Sequence, residues 1–176
     1  MRRTRGDYRV RPRRCATTLG VLLAASVTTL PSFGGTPTTG SGAKGLPVVL
    51  ALRTAVKKLD RPECRLLYTD FRDPRGRTLQ EGLTERNESG RDHLLRIVFE
   101  DGDRMPVCRR GGVLAYTSPG SGTVYLCTQH FMQAARDDVE VAAAIVIHEQ
   151  LHALGLLENP PTSAEITERV LRRCGR

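Results

Sequence analysis

The sequence predicts an α+β fold: a mixed, mostly antiparallel sheet, a long helix carrying His148-Glu149-Gln150-Leu151-His152, and a C-terminal helix. Three observations predict it. Strand-like runs cluster in the middle of the chain and precede the helical patterns of its last forty residues, instead of alternating with helices as in a βαβ array. Val139–Ile147 is almost wholly apolar, long enough for a buried helix, and capped by acidic residues. Hydrophobic residues at 39% and charged residues at 26% are ordinary for a globular protein and exclude wholesale disorder.

Seven arginines (Arg2, Arg3, Arg5, Arg9, Arg11, Arg13 and Arg14) precede an apolar run from Cys15 to Leu30, which small residues follow. A positive segment, an apolar segment and then small residues form the pattern of a secretory signal peptide, so residues 1–35 read as a leader. An uncleaved N-terminal anchor and a disordered basic tail are the alternatives; the run is short and Thr-rich for a spanning helix. Residues 36–45, rich in Gly, Thr and Ser, read as a flexible linker, and residues 46–176 as the domain. The net charge of +8 looks like a nucleic-acid signal until it is located. The seven leader arginines stand against Asp7 alone, which leaves +2 for the body and excludes nucleic acid as the expected partner. Membrane association is expected only through an uncleaved leader.

Within the domain, Leu46–Asp60 places Val48, Leu52, Ala55, Val56 and Leu59 on one helical face, with Pro47 suited to the first turn. Arg65–Phe71 reads as a strand, Asp73-Pro74-Arg75-Gly76 as a turn and Leu79–Leu83 as a short helix. His93–Glu100 reads as the central strand. Val113–Thr117 and Thr123–Cys127 flank a Ser/Pro/Gly turn and read as a hairpin. Asp137 or Asp138 opens the long helix, Gly155 stops it, and Thr162 with Glu165 forms a capping box for a last helix over Thr162–Arg173.

Four cysteines remain beyond the leader: Cys64, Cys108, Cys127 and Cys174. An even number in an exported chain implies two disulfides with three connectivities open, and a periplasmic or extracellular location. Their spacings of 44, 19 and 47 residues contain no metal knuckle.

The chemistry sits in the long helix. Residues four apart lie one turn apart on the same face, so His148 and His152 can share one metal ion. Glu149, about 100° around, stands beside that ion, where it can act as general base toward a water that Zn²⁺ acidifies. Burying three such polar groups in an apolar helix without partners would cost several kcal/mol, and a metal resolves that cost. Core histidines satisfied by backbone carbonyls are the bland alternative. Glu158 is the expected third ligand, because Gly155 lets the chain turn sharply and return. Glu165 is the rival, with a competing role in its capping box, and His130 a more distant one.

The stretch HEQLHALGLLE, His148–Glu158, resembles the metzincin zinc peptidases, whose extended motif is HExxHxxGxxH or HExxHxxGxxD. His148, Glu149, His152 and Gly155 match position for position, and Glu158 stands where that family has His or Asp. The resemblance implies a zincin-like fold and a zinc-dependent peptidase activity on a peptide or protein substrate. It also implies an edge strand above the metal, with Thr123–Cys127 the candidate. The family's methionine turn is missing, since Met1, Met105 and Met132 all precede the motif, so the chain reads as a minimal metzincin-like protein. Tyr116 and Tyr125 are candidate donors to an oxyanion or to substrate, or else packing residues. The expectation is a secreted, monomeric zinc metallopeptidase with Glu149 as its catalytic residue. The alternative is a zinc-binding, disulfide-stapled module without turnover.

Overall fold

The structure, a computed structural model, describes residues 35–40 and 42–175. The expected leader lies outside them, save Gly35. In chain order the elements are β1 (Thr38–Thr39), α1 (Leu46–Leu59), α2 (Pro62–Arg65), α3 (Leu67–Asp70), α4 (Leu79–Glu85), α5 (Gly90–Arg96) and β2 (Val98–Asp101). There follow a 3-10 turn at Pro106–Arg109, β3 (Ala115–Tyr116), β4 (Thr123–Leu126), α6 (Thr128–Asp137), α7 (Val139–Ala153) and α8 (Ser163–Cys174). The fold is α+β, as expected. Among the described residues no helix is long and apolar enough to cross a membrane.

α7 is the axis of the domain. Its sequence is apolar on every side, so it must be surrounded, and α1, α6 and α8 pack around it with β3 and β4. Asp138 caps it by accepting from the backbone N–H groups of Glu140 and Val141. α1 turns Val48, Ala51, Leu52, Ala55, Val56 and Leu59 inward, and Lys57 and Lys58 in its last turn suit the negative end of the helix dipole. Phe99, Val124 and Leu126 bury one face of the sheet completely, each contributing roughly 1.5–3 kcal/mol by removal from water.

The sheet order is β1-β2-β4-β3. β1 with β2 and β2 with β4 are parallel, and only the β3–β4 hairpin is antiparallel, so the sheet is mixed but not mostly antiparallel. The reason lies in the connections: β1 reaches β2 by way of α1 to α5, and β2 reaches β4 by a long loop, both of which permit parallel pairing. Thr123–Cys127 is therefore not an edge strand: β4 lies between β2 and β3, and β3 is the edge on that side. Residues 36–45 are not a free linker either, since Thr38 and Thr39 pair with Val98 and Phe99, and Pro37 and Ala43 are buried.

Two further expectations fail for identifiable reasons. Arg65–Asp70 belongs to the short helices α2 and α3, with Phe71 extended just after them: Cys64, Leu67, Tyr68 and Phe71 fall at helical spacing and all four are buried. His93–Arg96 belongs to α5, which Ser89 and Asp92 start with a reciprocal capping box; only Val98–Asp101 forms the strand. α6, just before the site helix, is an element the sequence reading did not name; it buries Thr128, Phe131 and Ala135 at helical spacing.

Disulfides join Cys64 to Cys174 and Cys108 to Cys127, one of the three pairings the sequence allows. Cystines of this kind persist in oxidising, extracytoplasmic compartments. The first ties α8 to α2, and Arg173 reinforces it with a bidentate bond to Asp70 at 2.9 and 3.0 Å. The Lys58 ammonium donates to the Cys174 carbonyl at 2.6 Å. The second cystine pins the loop after β2 to the end of β4.

Candidate metal centre

His148 and His152 leave α7 one turn apart on the same face, and both are buried. Their Nε2 atoms face each other at 3.0 Å, with ring centroids 4.9 Å apart. After Ala153 the helix closes through Gly155, whose N–H donates to the His152 carbonyl at 2.7 Å. Gly155 has φ +108°, a conformation open to glycine and strained for side-chain-bearing residues. The turn brings Leu156 back over the helix end, where its carbonyl lies 2.8 Å from His152 Nδ1. It also returns Glu158, whose Oε1 lies 3.3 Å from His152 Nε2 and 3.9 Å from His148 Nε2. Asn159 at φ 71°, with its N–H on the Pro161 carbonyl at 2.8 Å, carries the chain away into α8 through cis peptides before Pro160 and Pro161.

Among the described residues, His148, His152 and Glu158 form the one group of this kind, their ligand atoms all within 4.8 Å of one another, and together they could hold a metal ion. The expected ligand set is brought together. Glu165 is not part of it: its carboxylate accepts from Thr162 N–H at 2.7 Å and Thr162 Oγ1 at 2.8 Å, as a capping box requires. His130 lies exposed on α6, away from the cluster.

The distal nitrogens fix the rings. A backbone carbonyl can only accept, so His152 Nδ1 carries the proton and His152 Nε2 presents a lone pair to the cluster. His148 Nδ1 lies 2.9 Å from the Thr167 hydroxyl on α8. Burial, with His152 adding, holds the His148 pKa down at about 4, so at neutral pH the ring carries one proton, on one of its two nitrogens.

Glu149 is buried in the same place. Its Oε2 has no hydrogen-bond partner among the described residues. Burial above all, with Glu158 adding, pushes its carboxyl up to about 8. Such a group is stabilised as a carboxylate only by a cation or a donor arriving in the space beside it. That space is an open cavity of about 330 Å³ lined by Ala115, Tyr116, Thr117, Pro119, His148, Glu149, His152, Glu158 and Ser163. Edge strand β3 supplies one wall, and the hairpin turn is fixed to the site helix by the Gly120 N–H, which donates to the His152 carbonyl at 2.9 Å.

The two tyrosines part company. Tyr116 lines the cavity and its hydroxyl is buried with no hydrogen-bond partner among the described residues. Tyr125 stacks against it at 5.2 Å, 17° between planes, but does not line the cavity. Sequence reasoning missed Thr167, Leu156, Thr117 and Ser163. Leu156 follows from the Gly155 turn, whereas no local signal marks the other three, because tertiary packing of α8 and the hairpin against α7 brings them to the site. It also missed the role of Gln150, wholly buried between the two histidines in sequence. Its amide donates to the Gly90 carbonyl and accepts from the Tyr68 hydroxyl at 3.0 Å, which anchors the far side of α7 to α3 and α5.

No family of known proteins matches this chain, and neither curated proteins nor solved structures give a match. The fold and site define the chain as a disulfide-bonded α+β domain in which two buried histidines and an exposed glutamate cluster beside an open cavity.

Proposed function

We propose that this protein is an exported zinc-dependent metallohydrolase that cleaves amide bonds of peptides or proteins. The observation that carries the reading is the convergence of His148 Nε2, His152 Nε2 and Glu158 Oε1 beside the buried Glu149, whose Oε2 has no hydrogen-bond partner among the described residues. Zinc with bonds of about 2.0–2.1 Å in a tetrahedron separates its ligand atoms by about 3.3–3.4 Å. The distances of 3.0, 3.3 and 3.9 Å straddle that value, and two imidazoles with one carboxylate are a donor set typical of catalytic zinc. When bound, such an ion supplies a Lewis acid and acidifies a water.

The chain's own groups do the rest. His148, His152 and Glu158, all of which line the cavity, would hold the ion. Glu149 takes the proton from the attacking water and delivers it to the leaving amine nitrogen. The backbone of β3, whose outer edge pairs with no strand among the described residues, receives an extended peptide as an added strand beside the cavity. The Tyr116 hydroxyl, without a hydrogen-bond partner among the described residues, is available to donate to the oxyanion that forms as the amide is attacked. The two disulfides support an extracytoplasmic site of action, and the secretory leader pattern supports export.

Metal analysis of the purified protein and digestion of a broad peptide library test this reading. Zinc near one equivalent and cleavage that Glu149→Gln abolishes while zinc is retained are expected. Zinc retained with no cleavage by the wild type would instead make the chain a metal-binding module without turnover. Full activity in Glu149→Gln would remove that residue from the mechanism.

A further inference from the structure

The two candidate ligand rings are held from behind by chemically different partners. His152 rests on a carbonyl, which only accepts; His148 rests on the Thr167 hydroxyl, which donates or accepts. That difference bears on the 3.0 Å contact between the two Nε2 atoms. With the His152 proton fixed on Nδ1, its Nε2 carries a lone pair, and a contact at 3.0 Å is attractive only if His148 Nε2 holds a proton to share. His148 Nδ1 then has none, and the Thr167 hydroxyl must donate to it. A metal ion, by contrast, requires lone pairs on both Nε2 atoms. The single His148 proton then sits on Nδ1, and the Thr167 hydroxyl must accept.

We propose that Thr167 is a positioning residue that keeps His148 hydrogen-bonded in both tautomers, so that the ring exchanges its proton between Nε2 and Nδ1 on metal binding without losing a partner. The proposal rests on the metal-site reading above. The balance is neutral: one proton leaves Nε2 and one arrives on Nδ1 of the same ring, and the Thr167 hydroxyl turns from donor to acceptor. A carbonyl behind both rings would leave two lone pairs facing each other at 3.0 Å in the metal-free protein. A carboxylate there would oppose the neutral tautomer that donates from Nε2.

Thr167 is well placed for this duty. Ile166 and Val170 on either side of it are fully buried, the Thr162 capping box starts the helix, and Cys174 bonds to Cys64 at its end. The hydroxyl is thus carried on a helix fixed at both ends and between. Nothing in the sequence separates this threonine from the other polar residues of α8; its position against His148 does.

The test reads imidazole nitrogen shifts by NMR and zinc affinity by competition with a chelator. In the metal-free wild type His148 is expected in the Nε2–H tautomer and His152 in the Nδ1–H tautomer; with zinc both become Nδ1–H. Thr167→Val, close in shape but without the hydroxyl, is expected to weaken zinc binding by about 10–100-fold, while Thr167→Ser restores it to within a few-fold of wild type. An Nδ1–H tautomer for His148 in the metal-free protein, read on the wild type and so independent of any variant's folding, overturns the proposal. Unchanged zinc affinity in a folded Thr167→Val overturns it too while leaving the metal site standing. A wild type that binds no zinc overturns the metal site itself.

Discussion

Removing the Cys64–Cys174 bridge should destabilise the domain more than removing Cys108–Cys127, by a margin that follows from loop length. The bridges close loops of 110 and 19 residues. A cross-link removes unfolded-chain entropy that grows with the logarithm of the loop it closes, which puts the two at about 4.8 and about 3.2 kcal/mol. The difference, ~1.6 kcal/mol, depends only on the ratio of the two lengths. All four cysteines are buried, so replacing each pair by alanine leaves similar small voids and largely cancels packing effects. Urea unfolding of Cys64→Ala/Cys174→Ala and Cys108→Ala/Cys127→Ala, with the slope m checked for each, measures both losses. An equal or smaller loss from the long loop would refute the reasoning and locate the stabilisation in the folded contacts around α8.

Tyr68→Phe should cost about 1–3 kcal/mol, because it leaves the wholly buried Gln150 Oε1 without its donor. Gly90→Ala should cost more, since a Cβ there would lie 2.1 Å from the Tyr68 hydroxyl; chemical denaturation reads both. Burial, with Arg86 and Arg96 adding, holds the His93 pKa down at about 4, so the folded state keeps this ring neutral. The unfolded chain takes up the proton near pH 6.5, so stability from this group is full above that value and is lost as pH falls toward 4. Between pH 7.5 and pH 5 the loss is at most about 2 kcal/mol, and His93→Leu should flatten that slope in urea unfolding at the two pH values with chelator present. Glu158→Ala should weaken zinc binding at least tenfold and Glu165→Ala should leave it unchanged, as a fluorescent zinc competition assay would report.

The site was more legible in the sequence than the sheet was. His148, Glu149, His152, Gly155 and Glu158 lie within one helix and its closing turn, so helical geometry and one glycine conformation are enough to bring them together. The capping boxes at Thr78 and Thr162 are equally local, which is why α4 and α8 begin where expected. Sheet order depends instead on contacts between distant segments. β1 is only two residues long and finds its partner 60 residues away, and no period-2 pattern of that length could announce it. Apolar runs that serve two purposes misled in the same way: Leu94-Leu95 reads as strand until the Ser89 cap claims it for α5. Leu67-Tyr68 reads likewise until the Cys64 bridge and its helical spacing are seen. The ring partners Thr167 and Leu156 belong to the second group in one case and the first in the other. Leu156 follows from the Gly155 turn, whereas Thr167, nineteen residues from His148, follows only from the packing of α8 on α7.

The most direct test of the metal centre is a crystal of the protein grown with zinc and measured at the zinc absorption edge. An anomalous peak within about 2.0–2.2 Å of His148 Nε2, His152 Nε2 and a Glu158 oxygen, open toward the Glu149 side, is the predicted result. A peak bound elsewhere, or no peak beside two histidine rings still hydrogen-bonded to each other at saturating zinc, would contradict it.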